Sequence, residues 1–201
     1  MKQPKTVYSL IPLEDFKEVL SIDDREDPLA RFCLTIASHT IEQHCMRRLL
    51  RKRHFERIGF SGDLLLSLKE YPVTEVLALY AIQREPGNGE LIEPEFFSVI
   101  PDCGIDNDLP FTLSLSPAVM RLRHIEAFRV VYWAGYARGK APADLASACL
   151  ELASWNMGRY RGQHIGMTGS VRGQGKEGEH FEQSMPQNVK ALLEPYRRRV
   201  I

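Results

Sequence analysis

The chain has 201 residues, 44% of them hydrophobic, which is enough to bury a core as one domain. Lysine plus arginine and aspartate plus glutamate each number 26, so the formal net charge is zero. That balance argues against a domain devoted to gripping nucleic-acid phosphates, leaves room for a local basic patch, and suits a chain that packs against copies of itself.

The N-terminal stretch MKQPKTVYSLIPLEDF lacks the uninterrupted apolar region of a secretory signal. No run approaches the ~20 apolar residues that cross a bilayer. Synthesis in a cytoplasm, with no membrane partner, is the expectation. After Pro12, apolar Leu13, Phe16, Val19 and Leu20 alternate with Glu14, Asp15, Lys17 and Glu18 in the pattern of an amphipathic helix. Asp27 and Pro28 suit the start of a second helix, with Leu29, Phe32, Cys33, Ile36, Ala37, Thr40, Ile41 and His44 on one face. Arg47, Arg48 and Arg51 would close it, cations at the negative helix end.

From 53 to 134 the period shortens to two. Leu64, Leu66 and Leu68 alternate, as do Val76, Ala78, Tyr80 and Ile82, and then Phe128, Val130 and Tyr132. Turn residues separate the runs at Ser61-Gly62-Asp63, Tyr71-Pro72, Pro86-Gly87-Asn88-Gly89 and Asp106-Asn107-Asp108. A small, mostly antiparallel β unit is predicted here. Helix returns after Pro142, with Leu145, Ala148, Cys149, Leu152 and Trp155 as its stripe. Residues 158–183 are glycine-rich and poor in apolar side chains, which predicts an arm that orders only against partners. A short last helix after Pro186 should turn Val189, Leu192 and Leu193 inward and stop at Pro195. The fold class is therefore α+β: two N-terminal helices, one later helix and one short C-terminal helix form a helical core interrupted by the β unit. The whole chain, 1–201, reads as a single domain with that insertion and arm.

No residue set points to catalysis, a cofactor or a metal. His39 and His44 stand about 140° apart around a helix, too far to share a face, and neither pairs with Cys45 or His54 in a zinc spacing. Asp102, Asp106 and Asp108 lack the glycine and terminal glutamate of a calcium loop. A phosphate loop ending at Gly175-Lys176 would need glycine where Ser170 stands and a hydroxyl residue where Glu177 stands. The four cysteines, Cys33, Cys45, Cys103 and Cys149, show no CxxC pairing and read as buried thiols in a reducing compartment.

Taken in order, the segments LEDFKEVLSI, DPLARFCLTIASHTIEQHCMRRLL, YPVTEVLAL, VVYWAGYARGKAPADLASACLELASW and MPQNVKALLEPYRRR make the chain resemble the head–tail connector (adaptor) family of long-tailed phages. Members of that family also occur in prophages and gene transfer agents. The resemblance runs from about Leu10 to Arg199. It implies a structural, non-enzymatic protein of the virion neck: a homo-oligomeric ring of about twelve copies beneath the portal. Its partners would be the portal protein, a stopper or tail protein, and DNA passing through the channel without sequence-specific contact. The C-terminal Tyr196, Arg197, Arg198 and Arg199 would project outward as the portal or ring interface. The residues leave two other classes open: another neck or tail protein (a stopper or tail terminator), or an enzyme whose site is not legible in sequence.

Overall fold

The computed structural model describes residues 8–83, 89–100, 112–122, 124–162 and 185–198. Asp102, Asp106 and Asp108, the turn at Pro86-Gly87-Asn88, the glycine-rich 163–183, Cys103 and Arg199 lie outside the described residues. The fold is α+β, with four α-helices and antiparallel sheets among the described residues. It divides into two compact units, one drawn from Met1–Arg47 with Arg138–Ile201 and one from Arg48–Ala137.

In the helical unit, α1 (Leu13–Leu20) starts after an extended Pro12, carries Glu14 and Asp15 at its positive end, and closes on a left-handed Ser21. It buries Leu13 and Phe16, while Val19 faces solvent. A 3-10 turn at Asp24–Glu26, capped by the Asp23 carboxylate accepting from the Arg25 N–H (2.8 Å), leads directly into α2 (Asp27–Cys45). Lys17 of α1 reaches both Asp24 and Asp27, tying this entry down.

The buried stripe of α2 is Ala30, Cys33, Leu34, Ala37, Ser38, Ile41 and Cys45. This shifts the face predicted from sequence. Phe32 is 51% exposed and packs edge-on against Tyr160, whereas polar Ser38 points inward and its hydroxyl accepts the Leu10 N–H (3.1 Å). Pattern alone favours the bulkier edge; burial follows where α1, α3 and the entering chain can pack. The helix also ends earlier than predicted. Met46 is left-handed (φ 55°), so Arg47 and Arg48 fall beyond the last turn rather than on it.

Helix α3 (Ala143–Arg161) packs on α2 through Leu145, Ala148, Cys149, Leu152, Ala153 and Met157. It continues through Gly158 to Arg161, so residues 158–161 are helix and not arm. Arg161 forms a paired contact with Glu26. Helix α4 (Gln187–Leu193) seats Val189 and Leu193 against α3. Leu192 is only partly buried.

The described residues of the β unit form seven strands: β1 (Lys52–Gly59), β2 (Leu65–Ser67), β3 (Val73–Gln83), β4 (Glu90–Ile92), β5 (Phe97–Ile100), β6 (Thr112–Leu115) and β7 (Ile125–Ala134). They form two antiparallel sheets, β1-β7-β3-β4 and β2-β6-β5. One core lies between them. Leu66, Leu68, Leu113 and Leu115 come from the small sheet, and Val73, Leu79, Ala81, Phe128, Val130, Tyr132 and Ala134 from the large one. Each fully buried leucine, valine or phenylalanine among them contributes about 1.5–3 kcal/mol.

In β3 the inward set differs from the predicted alternation. A bulge between Val76 and Ala78 changes the register, so Leu79 and Ala81 enter the core while Ala78, Tyr80 and Ile82 take the other face. The unit is closed at its base by Gly135 (φ +100°). A Cβ there would lie 2.7 Å from Leu49 O and from the Leu50 carbonyl, so the backbones approach as only glycine permits. The Tyr136 N–H donates to Leu49 O (2.7 Å), and the Arg51 N–H to Tyr136 O (2.8 Å).

Candidate interface surfaces

The C-terminal segment combines an inward and an outward part. Pro195 does not throw Tyr196 outward. The chain continues past α4 as a 3-10 turn, Glu194–Tyr196, which rotates the tyrosine into the helical unit, where it is 4% exposed. Its hydroxyl donates to Asp144 Oδ1 (2.5 Å), and the buried Arg47 guanidinium lies over its ring at 5.9 Å. The Arg198 N–H donates to Cys45 O (2.8 Å), satisfying one of the carbonyls left open at the end of α2. Arg197 is exposed and touches Glu194 weakly, at 3.4 Å. Tyr196 is thus an anchor, and Arg197 and Arg198 emerge from it. Nearby His44 has its pKa held below the usual value by burial, with Arg197 and Lys190 adding to the effect and Glu194 opposing it.

The second surface is the face of the large sheet turned away from its core. Register places Arg53, Phe55 and Arg57 of β1 beside Trp133, Val131 and Arg129 of β7, with Tyr80 of β3 opposite Arg129 and Leu91 of β4 opposite Tyr80. An antiparallel sheet with one buried face ordinarily shows polar side chains on the other. Here Phe55 is 67% exposed and Leu91 58%, and Leu77 at the bulge is exposed too. Three rings each carry a guanidinium: Arg51 over Trp133 (5.3 Å), Arg53 over Phe55 (4.8 Å) and Arg129 over Tyr80 (5.9 Å). Arg51 also meets Glu75 (3.7 Å) and Arg57 meets Glu126 (3.1 Å).

Inside the β unit a buried polar network replaces part of the apolar core. The Tyr132 hydroxyl donates to Glu56 Oε2 (2.9 Å) and accepts the Glu70 N–H (3.3 Å), while the Lys69 N–H also donates to Glu56 (3.0 Å). Burial and the neighbouring Glu56 carboxylate push the Tyr132 pKa far up, so the phenol stays neutral and donates. His54 lies 5.6 Å from the Tyr132 ring, and its pKa is lowered by burial. This network pins the segment Lys69–Glu70 to the sheet. The zinc-like set is dispersed: His39 stacks on Tyr8 (4.5 Å), while His44 and Cys45 belong to the helical unit and His54 to the β unit. Among the described residues no group of three histidine, cysteine or acidic side chains is placed to hold a metal ion. Cys33, Cys45 and Cys149 are free, and burial raises each thiol to about 11.

No family model matches the sequence, and no curated protein does. Solved structures do match. Over 100% of this chain, the fold superposes on a chain in the virion of a native gene transfer agent (GTA) particle, covering 97% of that chain with a TM-score of 0.62 at 19% identity. Chains in two neck structures also match over 100% of this chain and 96% of their own. One is the neck of an empty GTA particle computed with C6 symmetry (TM-score 0.60, 19% identity), and the other the neck of a native GTA particle computed with C12 symmetry (0.56, 19%). The chain shares the fold of a gene transfer agent neck chain.

On that fold, Tyr196, Arg197 and Arg198 lie together at the end of the helical unit, with Arg199 outside the described residues. Arg47, like Tyr196, departs from its sequence expectation: a helix-capping cation in the pattern, it is a buried partner of Tyr196. The outer sheet face was also missed. Its one signal is that Phe55, Val131 and Trp133 interrupt the polar positions expected outside β1 and β7. The residues of the polar network come from separate strands, and no spacing announces them.

Proposed function

We propose that the protein is a structural component of a phage-like neck, an adaptor ring beneath the portal that joins a DNA-filled head to its tail. The observation that carries this reading is the likeness of fold across the full length of this chain and nearly all of its counterparts. A whole-length match is what one assembly subunit has with another of the same build. The C12 symmetry of one related neck, and the C6 symmetry of another, support a homo-oligomeric ring of twelve copies. On this reading the protein acts by contact and not by chemistry. DNA passes through the ring without sequence readout, in keeping with zero net charge. Its place is the virion, after synthesis in the host cytoplasm. Among the described residues no helix is long and apolar enough to cross a membrane.

The C-terminus supplies the portal contact in this proposal. Tyr196 holds the segment to the helical unit, and Arg197, Arg198 and Arg199 extend from that anchor toward acidic or backbone acceptors. A reconstruction of the particle neck tests the reading: the subunit density should form a closed ring touching the portal. A ring touching only the tail tube would make the protein a tail terminator, and its absence from the neck would end the proposal. Replacing Arg197, Arg198 and Arg199 together by alanine should lower the yield of joined particles while the subunit stays folded. Normal joining by that variant would remove the docking role.

A further inference from the structure

We infer that the outer face of the large sheet is a contact between two copies of this chain, and that it receives helix α1 of the neighbouring copy. The face offers Phe55, Leu77 and Leu91 as exposed apolar surface, beside a half-buried Trp133 that lies under Arg51. Around them stand four arginines, Arg51, Arg53, Arg57 and Arg129, against two glutamates, Glu75 and Glu126. Arg53 and Arg129 rest on rings without a carboxylate partner among the described ion pairs. Tyr, Trp and Arg around an apolar centre is the composition that concentrates binding energy in protein interfaces.

The charges choose the occupant. Face-to-face pairing of this surface with itself would set four arginines against four, so the partner surface must differ from it. The same chain carries a complement. On α1, Glu14, Asp15, Glu18 and Val19 share the side opposite buried Leu13 and Phe16, and all four are exposed, Val19 by 61%. Lys17, the one cation of that helix, is turned away to Asp24 and Asp27. The helix therefore presents acidic side chains around an apolar residue, opposite in sign to the arginine-rimmed apolar sheet face. A chain neutral overall has separated its charges between two surfaces. Nucleic acid is the weaker occupant, because the guanidiniums cover ring faces on which bases would stack. Glu75 and Glu126 would also oppose phosphate, and Leu77 and Leu91 offer bases nothing. A contact between unlike surfaces repeats head to tail and closes into a ring when the rotation allows. The inference rests on the proposed neck role only for that closure.

The experiment is sedimentation velocity on full-length protein, using two double variants whose changes lie on exposed side chains. Arg53→Glu with Arg129→Glu reverses the sheet face, and Glu14→Lys with Glu18→Lys reverses the helix. Each alone should weaken self-association at least ~tenfold with the circular dichroism spectrum unchanged. Mixing the two, or combining all four changes in one chain, should restore association, since complementary signs then meet again. Leu91→Ser serves as an uncharged second probe of the sheet face and should also weaken association. Wild-type protein that stays monomeric at the highest concentration reached, or reversed variants that associate normally, would overturn the inference. So would failure of the mixture to recover. Loss of binding to a labelled single-stranded DNA in the sheet variant, with self-association intact, would assign the face to nucleic acid instead. The neck reading is judged separately. A wild-type ring in the neck with no rescue by mixing defeats only this contact, and rescue without any protein in the neck defeats only that reading.

Discussion

Replacing Tyr132 by phenylalanine removes one oxygen and leaves the ring in place, so it isolates the buried network of the β unit. Two hydrogen bonds go at once: the donation to Glu56 Oε2 (2.9 Å) and the acceptance from the Glu70 N–H (3.3 Å). The first is a bond to a buried carboxylate, a kind that contributes roughly 1.5–3 kcal/mol. Glu56 keeps the Lys69 N–H, and Lys69 Nζ stands 3.9 Å away, so its charge is not stranded entirely. The Glu70 N–H bond is longer and only part-buried, and its loss adds about 0.5–1 kcal/mol. Together the variant should destabilise the β unit by about 2–4 kcal/mol. Because the chain has two tryptophans, Trp133 in the β unit and Trp155 in the helical unit, each unit can be followed separately. In a Trp155→Phe background, urea unfolding watched by Trp133 fluorescence should shift to lower denaturant with little change in slope. Adding Glu56→Gln should cost less in the Tyr132→Phe protein than in the parent, since the two groups share one interaction. A shift under about 0.5 kcal/mol, or strictly additive effects, would refute the claim that this network carries the stability of the segment after β2.

Gly135→Ala should destabilise the β unit by about 2–4 kcal/mol, because the new Cβ meets backbone at 2.7 Å in a left-handed conformation; thermal unfolding measures it. His54, its pKa held below the usual 6.5 mainly by burial, takes up a proton more readily when unfolded. Its contribution is therefore complete above about pH 6.5 and declines as pH falls below that value, Lys52 and Arg48 reinforcing the effect and Glu56 and Glu70 opposing it. Urea midpoints for parent and His54→Phe from pH 7.5 to 5 should show a shallower fall in the variant. Truncation after Glu194 removes the Tyr196 ring, its bond to Asp144 and the cap on Cys45 O, and should cost the helical unit about 3–5 kcal/mol in thermal or urea unfolding. Cys33, Cys45 and Cys149, with thiols raised to about 11, should react with a thiol reagent only as the helical unit opens, which labelling rates in rising urea report.

Local chemistry was enough to write most of the element order from sequence. Pro12, Pro28, Pro142 and Pro186 stand within a residue of the starts of α1 to α4, since proline's fixed φ and missing N–H suit a first turn. The alternation of Leu64, Leu66 and Leu68 and of Phe128, Val130 and Tyr132 identifies true core faces, because a strand's side chains strictly alternate. What tertiary structure decided is which of two plausible faces turns inward, and which distant groups meet. One bulge at Val76/Ala78 moved Tyr80 and Ile82 to the outer face, an event with no local signature. Ser38 and Arg47 are inside because Leu10 and Tyr196, far along the chain, come to meet them. Tyr196 itself turned inward against the expectation of an exposed tail, since a 3-10 turn through Pro195 brings its hydroxyl to Asp144. A sequence prices each residue against its neighbours in the chain, whereas burial of a polar group is settled by partners that only folding delivers.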